Sequence, residues 1–327
     1  MSKKAGRIAT ASMARRKKNA NASRKDCWRH LSGLVSKSRV SIWLELGKVR
    51  ITAAVSITTI TGYLLHTTRL DPGLGWTILG IFLLASGASS LNHLQEYRYD
   101  SRMNRTRNRP LPSGRITEQG AIVVTLAYSI PGSVLLYLGA GMQGMLLGWL
   151  AFFWYNVVYT YLKRYTAWAV IPGSIIGSIP PLIGWVSAGG SLLDSMIIPI
   201  AAFFFIWQVP HFWLLIMKYG KEYESAGFPS LSNTMNQAQM GRMIFLWVAG
   251  TAMITVAFTL LGPMDSVISK AGLWMASVWL ILSFIPILGR SLSRIKPGKY
   301  FMKINYFVLL VVVFMCLDKL LLEFLHI

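Results

Sequence analysis

Acid is what this chain has least of: 12 Asp and Glu stand against 33 Lys and Arg in 327 residues. Charged residues of both signs make up only 14%, where a water-soluble domain carries about a quarter. An ordinary soluble protein is therefore excluded. Cysteine is nearly absent as well. Cys27 and Cys316 lie at opposite ends of the chain with no CxxC or CxxCH context, which removes a disulfide framework, a thiolate metal site and covalent haem attachment. The first 25 residues contain neither an acid nor an apolar run. A cleaved secretory signal needs an apolar core, so residues 1–44 are expected to be a disordered basic tail beside anionic headgroups. The competing reading is an organelle transit peptide, and the many lysines and weak amphipathicity argue against it.

What the chain has in quantity is apolar length. Hydrophobic residues make up 54%, and runs of about 20 residues, enough to cross a bilayer, recur through residues 45–327. Nine are expected: roughly 50–69, 74–94, 120–139, 142–162, 168–188, 196–217, 243–262, 271–289 and 303–325, with the third kinked at Pro131-Gly132. The fold class is an all-α polytopic membrane protein. A formal net charge of +21 invites a nucleic-acid reading until the charges are mapped onto nine spans. With a cytoplasmic N-terminus, 30 of the 33 Lys and Arg then fall on one side, and only Arg69, Lys270 and Lys319 on the other. Basic loops stay in the cytoplasm, so topology accounts for the charge and no nucleic-acid partner is needed.

Two long inner loops, 95–119 and 218–242, hold the unusual chemistry. Residues 92–114 read NHLQEYRYDSRMNRTRNRPLPSG. Asn92, Glu96 and Asp100 stand at i, i+4 and i+8, which puts all three on one helix face at steps of about 6 Å. An all-oxygen set suits Mg²⁺ shared with a phosphate-bearing substrate. Arg98, Arg102, Arg105, Arg107 and Arg109 surround it, and arginine pairs naturally with phosphate oxygens. The bland alternative is a solvated amphipathic loop laced with ion pairs. Against that, Asn92 still lies inside the apolar run, and RPLPSG stops the helix sharply.

The second segment, FIWQVPHFWLLIMKYGKEYESAGFPSL (205–231), places Pro210 and His211 among Trp207, Phe212 and Trp213. Proline there is expected to kink the helix and free carbonyls. His211 reads either as a packed, hydrogen-bonded residue or as an axial ligand or orienter for a metalloporphyrin. Glu222 is expected to face the first carboxylate set, and Glu224 to point away. Lys163 and Arg164 in YTYLKRYT read either as reaching into the same cavity or as ordinary inner-face anchors. Gly173 and Gly177, at small-xxx-small spacing, read first as close helix packing. A loose echo between the two loops, RPLPSG in one and AGFPSL in the other, points to two halves meeting at one inner-face site.

With these pieces the chain resembles the UbiA superfamily of intramembrane prenyltransferases, and within it the branch that modifies haem. The family's first motif is similar to N-x-x-x-D-x-x-x-D followed by M-x-R-T-x-x-R-P-L-x-x-G. Here Asn92, Glu96 and Asp100 fill the metal positions, and Met103, Arg105, Thr106, Arg109, Pro110, Leu111 and Gly114 the rest. The haem branch adds L-K-R-x-T (Leu162, Lys163, Arg164, Thr166), the run from Pro180 to Trp185, W-Q-x-P-H-F (Trp207 to Phe212) and D-Y-x-x-A-G-x-P. That last motif stands here as Glu222, Tyr223, Ala226, Gly227 and Pro229. The resemblance covers residues 45 to 325. It departs at Glu96 and Glu222, where the family has aspartate, at Ala169 in place of asparagine, and at Ser230 in place of methionine.

The resemblance implies a nine-helix bundle and a Mg²⁺-dependent transfer of a farnesyl group from farnesyl diphosphate to a vinyl of haem b, giving haem O and diphosphate. Asn92, Glu96, Asp100 and Glu222 are then the metal set, with Arg102, Arg105, Arg109, Lys163 and Arg164 on the diphosphate and His211 orienting the haem. Haem A synthase is a candidate partner beside the membrane lipids. The location is a bacterial inner membrane, or the mitochondrial inner membrane as the alternative. Two rivals stay open: a related prenyltransferase with a quinone or other lipid acceptor, and a non-enzymatic transporter or haem- and isoprenoid-binding protein. A transporter site belongs near the midplane on broken helices, whereas the polar groups here gather at one face.

Overall fold

A computed structural model describes residues 39–229, 231, 235–261, 264–289 and 296–325. Cys27, Ser230 and the expected basic tail up to residue 38 lie outside them. The chain divides into residues 1–43 and 44–327. Of the first unit only 39–43 are described, where helix α1 (Arg39–Leu46) begins.

Among its described residues the second unit consists of helices joined by turns and has no strand. It comprises α2 (Val49–His66), α3 (Pro72–Asp100), α4 (Glu118–Phe153), α5 (Thr160–Leu162), α6 (Val170–Gly173), α7 (Ile175–Ser187), α8 (Ile197–Ser225), α9 (Gln237–Leu261), α10 (Val267–Phe284), α11 (Pro286–Gly289) and α12 (Pro297–Leu325). Between α4 and α5 runs one π-helical stretch, Trp154–Tyr159. Seven helical stretches among the described residues are long and apolar enough to cross a membrane, which makes this a multi-pass membrane protein.

The longest stretch, Glu118–Leu162, spans 45 residues and is two crossings rather than one. Gly141 takes φ 65 and ψ −170, a left-handed conformation that glycine alone adopts without penalty. The chain folds back there: Leu136 packs against the site of Gly148, which a straight helix would carry about 18 Å away. The break therefore falls at Gly141, between the expected third and fourth spans, and the kink expected at Pro131-Gly132 is not there. The helix continues through Pro131, and Gly132 instead admits the backbone of Leu84.

Helix α2, at 18 residues, is not among those seven. Thr52, Thr58, Thr59 and Thr61 return their hydroxyl protons to carbonyls three or four residues back, so the polarity is satisfied within the helix. This lets α2 sit centrally against α7. A Cβ at Gly62 would collide with Pro181 O, and one at Gly184 with Thr59 O; two helix backbones touch at these glycines. Counting α2 and both limbs of the long stretch gives nine crossings among the described residues, as the hydropathy led one to expect.

Candidate active site

The last two turns of α3 set the site. Asn92, Glu96 and Asp100 share its inward face and are 1%, 6% and 1% exposed. Buried charge is costly unless paired, and each of the three has a partner. Lys163 Nζ stands 2.6 Å from Glu96 Oε1. Arg109 Nη1 donates to Asp100 Oδ2 at 2.7 Å. The amide of Asn92 is held from three sides: its Nδ2 donates to Thr160 Oγ1, and its Oδ1 accepts from Lys48 Nζ and from the Tyr155 hydroxyl, all at 3.0 Å.

The two long loops meet beside these residues. Met103 packs with Ala226 and Phe228, flanked by Tyr99 and Tyr223. The Arg105 N–H donates to Glu222 Oε2 at 3.2 Å, and its guanidinium donates to the Tyr223 hydroxyl and covers the Tyr219 ring. Glu222 therefore does face the first motif, across the Arg105 backbone, while Glu224 is exposed. Not every expected cation reaches the carboxylates. Arg164 donates to Gln95 O and lies over Tyr161 and Tyr99. Arg102 is exposed with its guanidinium near the Tyr99 ring, and Arg107 is exposed. A bidentate pair, Arg115 to Glu45 at 2.8 and 2.9 Å, holds the end of the first loop.

Two lysines flank the carboxylates in opposite electrostatic states. Burial pushes the Lys163 ammonium down, but Glu96 against it, with Tyr159 and Tyr155, raises it above its ordinary range overall; it stays charged. Burial followed by the charge of Arg109 lowers Lys48 to about 7, despite Glu96 and Asp100. Lys48 is half-buried, and its ammonium donates to Asn92 Oδ1 and to the Tyr155 hydroxyl. Its backbone is also unusual: at φ 49 it is the non-glycine residue with positive φ among the described residues, a strain met where geometry is over-determined.

Sequence reasoning passed over Lys48, Tyr155 and Thr160. A lysine opening an apolar run looks like an inner-face anchor, and nothing local distinguishes it. The π-helical stretch is what turns Tyr155 and Thr160 to the site, because its extra residue per turn lets the Thr160 N–H and hydroxyl both reach Tyr155 O. Such stretches are frequent at functional sites.

No group of three or more His, Cys, Asp or Glu stands ready to hold a metal among the described residues. The donors nonetheless fit a hard cation shared with a diphosphate. They are oxygen-only, they come from both loops, and each buried carboxylate now faces a cation able to change partners. Both lone pairs of Asn92 Oδ1 are already in use, so Glu96, Asp100 and Glu222 are the better donors.

An aromatic wall leads from this site into the bundle. Lys163 lies 5.1 Å from the Tyr159 ring centroid, Tyr159 stacks on Tyr155 at 6.1 Å and stands 6.2 Å from Phe212, and Phe212 meets His211 edge-on at 5.4 Å. Gly173 and Gly177 make room for Tyr159 and Gln208 respectively, so side-chain packing accounts for both. Helix α8 runs unbroken through Pro210.

Residues 55–314 match the model of the UbiA prenyltransferase family. The chain belongs to the UbiA prenyltransferase family. Among curated relatives, the protoheme IX farnesyltransferase of Oleidesulfovibrio alaskensis is 32% identical over 84% of this chain and 95% of its own length. That of Geobacter sulfurreducens is 36% identical over 73% and 87%. Solved structures share the UbiA fold. A digeranylgeranylglyceryl phosphate synthase superposes with a TM-score of 0.71 at 15% identity, covering 86% of this chain and 98% of its own. A UbiA homologue from Archaeoglobus fulgidus bound to GPP and Mg²⁺ does so with 0.62 at 13%, covering 85% and 99%.

Proposed function

We propose that this protein transfers a farnesyl group from farnesyl diphosphate to a vinyl of haem b, giving haem O and diphosphate. The observation that carries the reading is the likeness, over most of both chains, to relatives named protoheme IX farnesyltransferase. The C1–O bond of the prenyl diphosphate breaks and C1 bonds to one vinyl carbon. Water adds its hydroxyl to the other vinyl carbon, and one proton and diphosphate leave.

In this reading Glu96, Asp100 and Glu222 hold Mg²⁺, with Asn92 next to them. Bound there, the ion neutralises charge on the diphosphate oxygens. Lys163 and Arg109, now on Glu96 and Asp100, turn to the diphosphate and stabilise the negative charge growing on the leaving oxygen. Lys48 and Arg105 complete that ring, Asn92 keeps Lys48 aimed, and Arg102 and Arg164 add longer-range positive potential at the rim. The isoprenoid lies among apolar helices and needs no aqueous path. His211 orients the haem at the far end of the aromatic wall. The inner face, with 30 of the 33 basic residues, is the cytoplasmic side of a bacterial inner membrane.

The test is chromatographic. Protein in detergent receives haem b, farnesyl diphosphate and Mg²⁺, with and without chelator. The expected product is a later-eluting haem with the mass of one farnesyl and one hydroxyl added, absent when the metal is chelated. Diphosphate released only with a quinone or other lipid acceptor would refute the haem assignment while keeping the prenyltransferase.

A further inference from the structure

Two of the cations beside Asn92 and Asp100 come from segments far apart in sequence. Lys48 precedes α2 and reaches Asn92, and Arg109 lies in the first long loop and reaches Asp100. Each is held by its own short turn. The N–H of Lys48 donates to Glu45 O at 3.2 Å, and its carbonyl accepts from the Ile51 and Thr52 N–H groups. Arg109 is wrapped in the other turn: its N–H donates to Thr106 O at 2.9 Å, and its carbonyl accepts from the Ser113 N–H and hydroxyl at 3.0 and 2.6 Å. Held separately, the two turns leave open where one cation stands relative to the other.

One guanidinium joins them. Arg115 Nη1 and Nη2 donate to Glu45 Oε2 and Oε1 at 2.8 and 2.9 Å. Nη2 also donates to Asn108 O, and Nε donates to Ser113 Oγ at 3.0 Å. The Arg115 N–H donates to Pro110 O at 2.9 Å. Arg115 therefore grips Asn108, Pro110 and Ser113 on the Arg109 side and, through Glu45, the residue whose carbonyl receives Lys48. A planar fork on two carboxylate oxygens fixes direction as well as distance. Stability alone is a poor reason for such a pair. Its side chains are 24% and 29% exposed, and ion pairs open to water contribute little to folding. Lys48 meanwhile keeps a φ of 49, a conformation that persists where the surroundings over-determine it.

We infer that Glu45 and Arg115 are positioning residues for the diphosphate site: their ion pair sets the separation of Lys48 and Arg109, and so the width of the cradle that receives the diphosphate. Arg115 acts on both cations, because it braces the Arg109 turn as well as Glu45. Glu45 acts on Lys48 alone. The inference rests on the diphosphate reading above and deepens it with two residues that belong neither to the metal set nor to the ring of cations.

The experiment is a double-mutant cycle on binding. Purified protein in detergent with Mg²⁺ is titrated by calorimetry with a non-reacting thiolo analogue of farnesyl diphosphate. Glu45→Ala and Arg115→Ala are each expected to weaken its binding by about tenfold or more, Arg115→Ala by the larger factor. The melting temperature of the free protein should hardly move. Loss of folded protein would lower the stoichiometry and leave the affinity alone, so a merely structural role reads differently. In the Lys48→Met background Glu45→Ala should cost less than about twofold, because the cation it aims is gone. Arg115→Ala should there keep part of its effect, through Arg109. Glu45→Gln offers one acceptor where the fork needs two; it covers the case in which Glu45→Ala does not fold, and should weaken binding by about threefold or more. Affinities of the Glu45 and Arg115 variants within about twofold of the wild type, or a Glu45 effect of equal size with and without Lys48, would overturn the inference and leave the diphosphate site standing. If the wild type itself does not bind the analogue, the diphosphate reading falls and takes the inference with it.

Discussion

Lys48 gives the sharpest quantitative test of the site. In the substrate-free protein its ammonium is held to about 7 by burial and by Arg109, against an ordinary value of about 10.4. A diphosphate placed beside it supplies the opposite charge and returns it towards the ordinary range. Binding must then take up a proton wherever the free lysine is neutral. With 7 in the free state, the neutral fraction is about 0.9 at pH 8 and about 0.1 at pH 6, and proton uptake per diphosphate follows those fractions. The sign is fixed: the complex holds more protons than the free protein. Affinity therefore weakens by about tenfold per unit as pH rises above 7, and levels off below it. Titration calorimetry with a non-reacting thiolo analogue of farnesyl diphosphate, in buffers of different ionisation enthalpy, reads the protons directly. Lys48→Met run in parallel cancels the analogue's own titration, so the difference between the two proteins is the quantity of interest. Equal uptake by wild type and Lys48→Met at pH 8 would refute both the depressed lysine and its place on the diphosphate.

Further expectations follow from other parts of the molecule. Asp100→Asn and Glu222→Gln should each lower turnover by about 100-fold or more in protein that still elutes as a single species; near-normal activity in both would remove the metal set. Asp318 is fully buried and accepts the backbone N–H groups of Asp265 and Ser266 ahead of α10, so Asp318→Ala should destabilise by about 2 kcal/mol or more, seen as a lower melting temperature with little change in specific activity. Gly184→Ala, which drives a methyl into Thr59 O, should abolish folded protein, whereas Gly75→Ala meets open space and should be neutral or slightly stabilising on thermal denaturation.

The spans were legible because an apolar run of crossing length has few alternatives. Asn92, Glu96 and Asp100 could be placed on one face because helix spacing is regular, and Glu222 could be set against them because its loop shared their chemistry. Other features depend on contacts between distant segments. Lys48 acquires its surroundings only when the start of α2 meets α3, and it is a single polar residue with no local pattern around it. Arg102 and Arg164 failed to reach the carboxylates for a related reason: tyrosine faces and a carbonyl lay nearer. The fold-back at Gly141 was legible as the short gap between two apolar runs, whereas a kink was expected at Pro131-Gly132, where the residue types favour one. The chain keeps its helix there, with a close approach to Leu84, and spends its freedom at Gly141.

The π-helical stretch Trp154–Tyr159 has one more consequence. It holds one residue beyond what an α-helix of the same rise would use, and everything after it inherits that offset. Deleting Val157, a lipid-facing valine, would hardly alter the composition, charge or hydropathy of the crossing. It would nevertheless turn Tyr159, Thr160 and Lys163 by about 100° about the helix axis relative to Tyr155. Glu96 would lose its counter-ion and Asn92 its Thr160 partner together. The integrity of the polar site thus depends on a surplus residue in the greasy part of the chain, where a screen for chemically important side chains would not look.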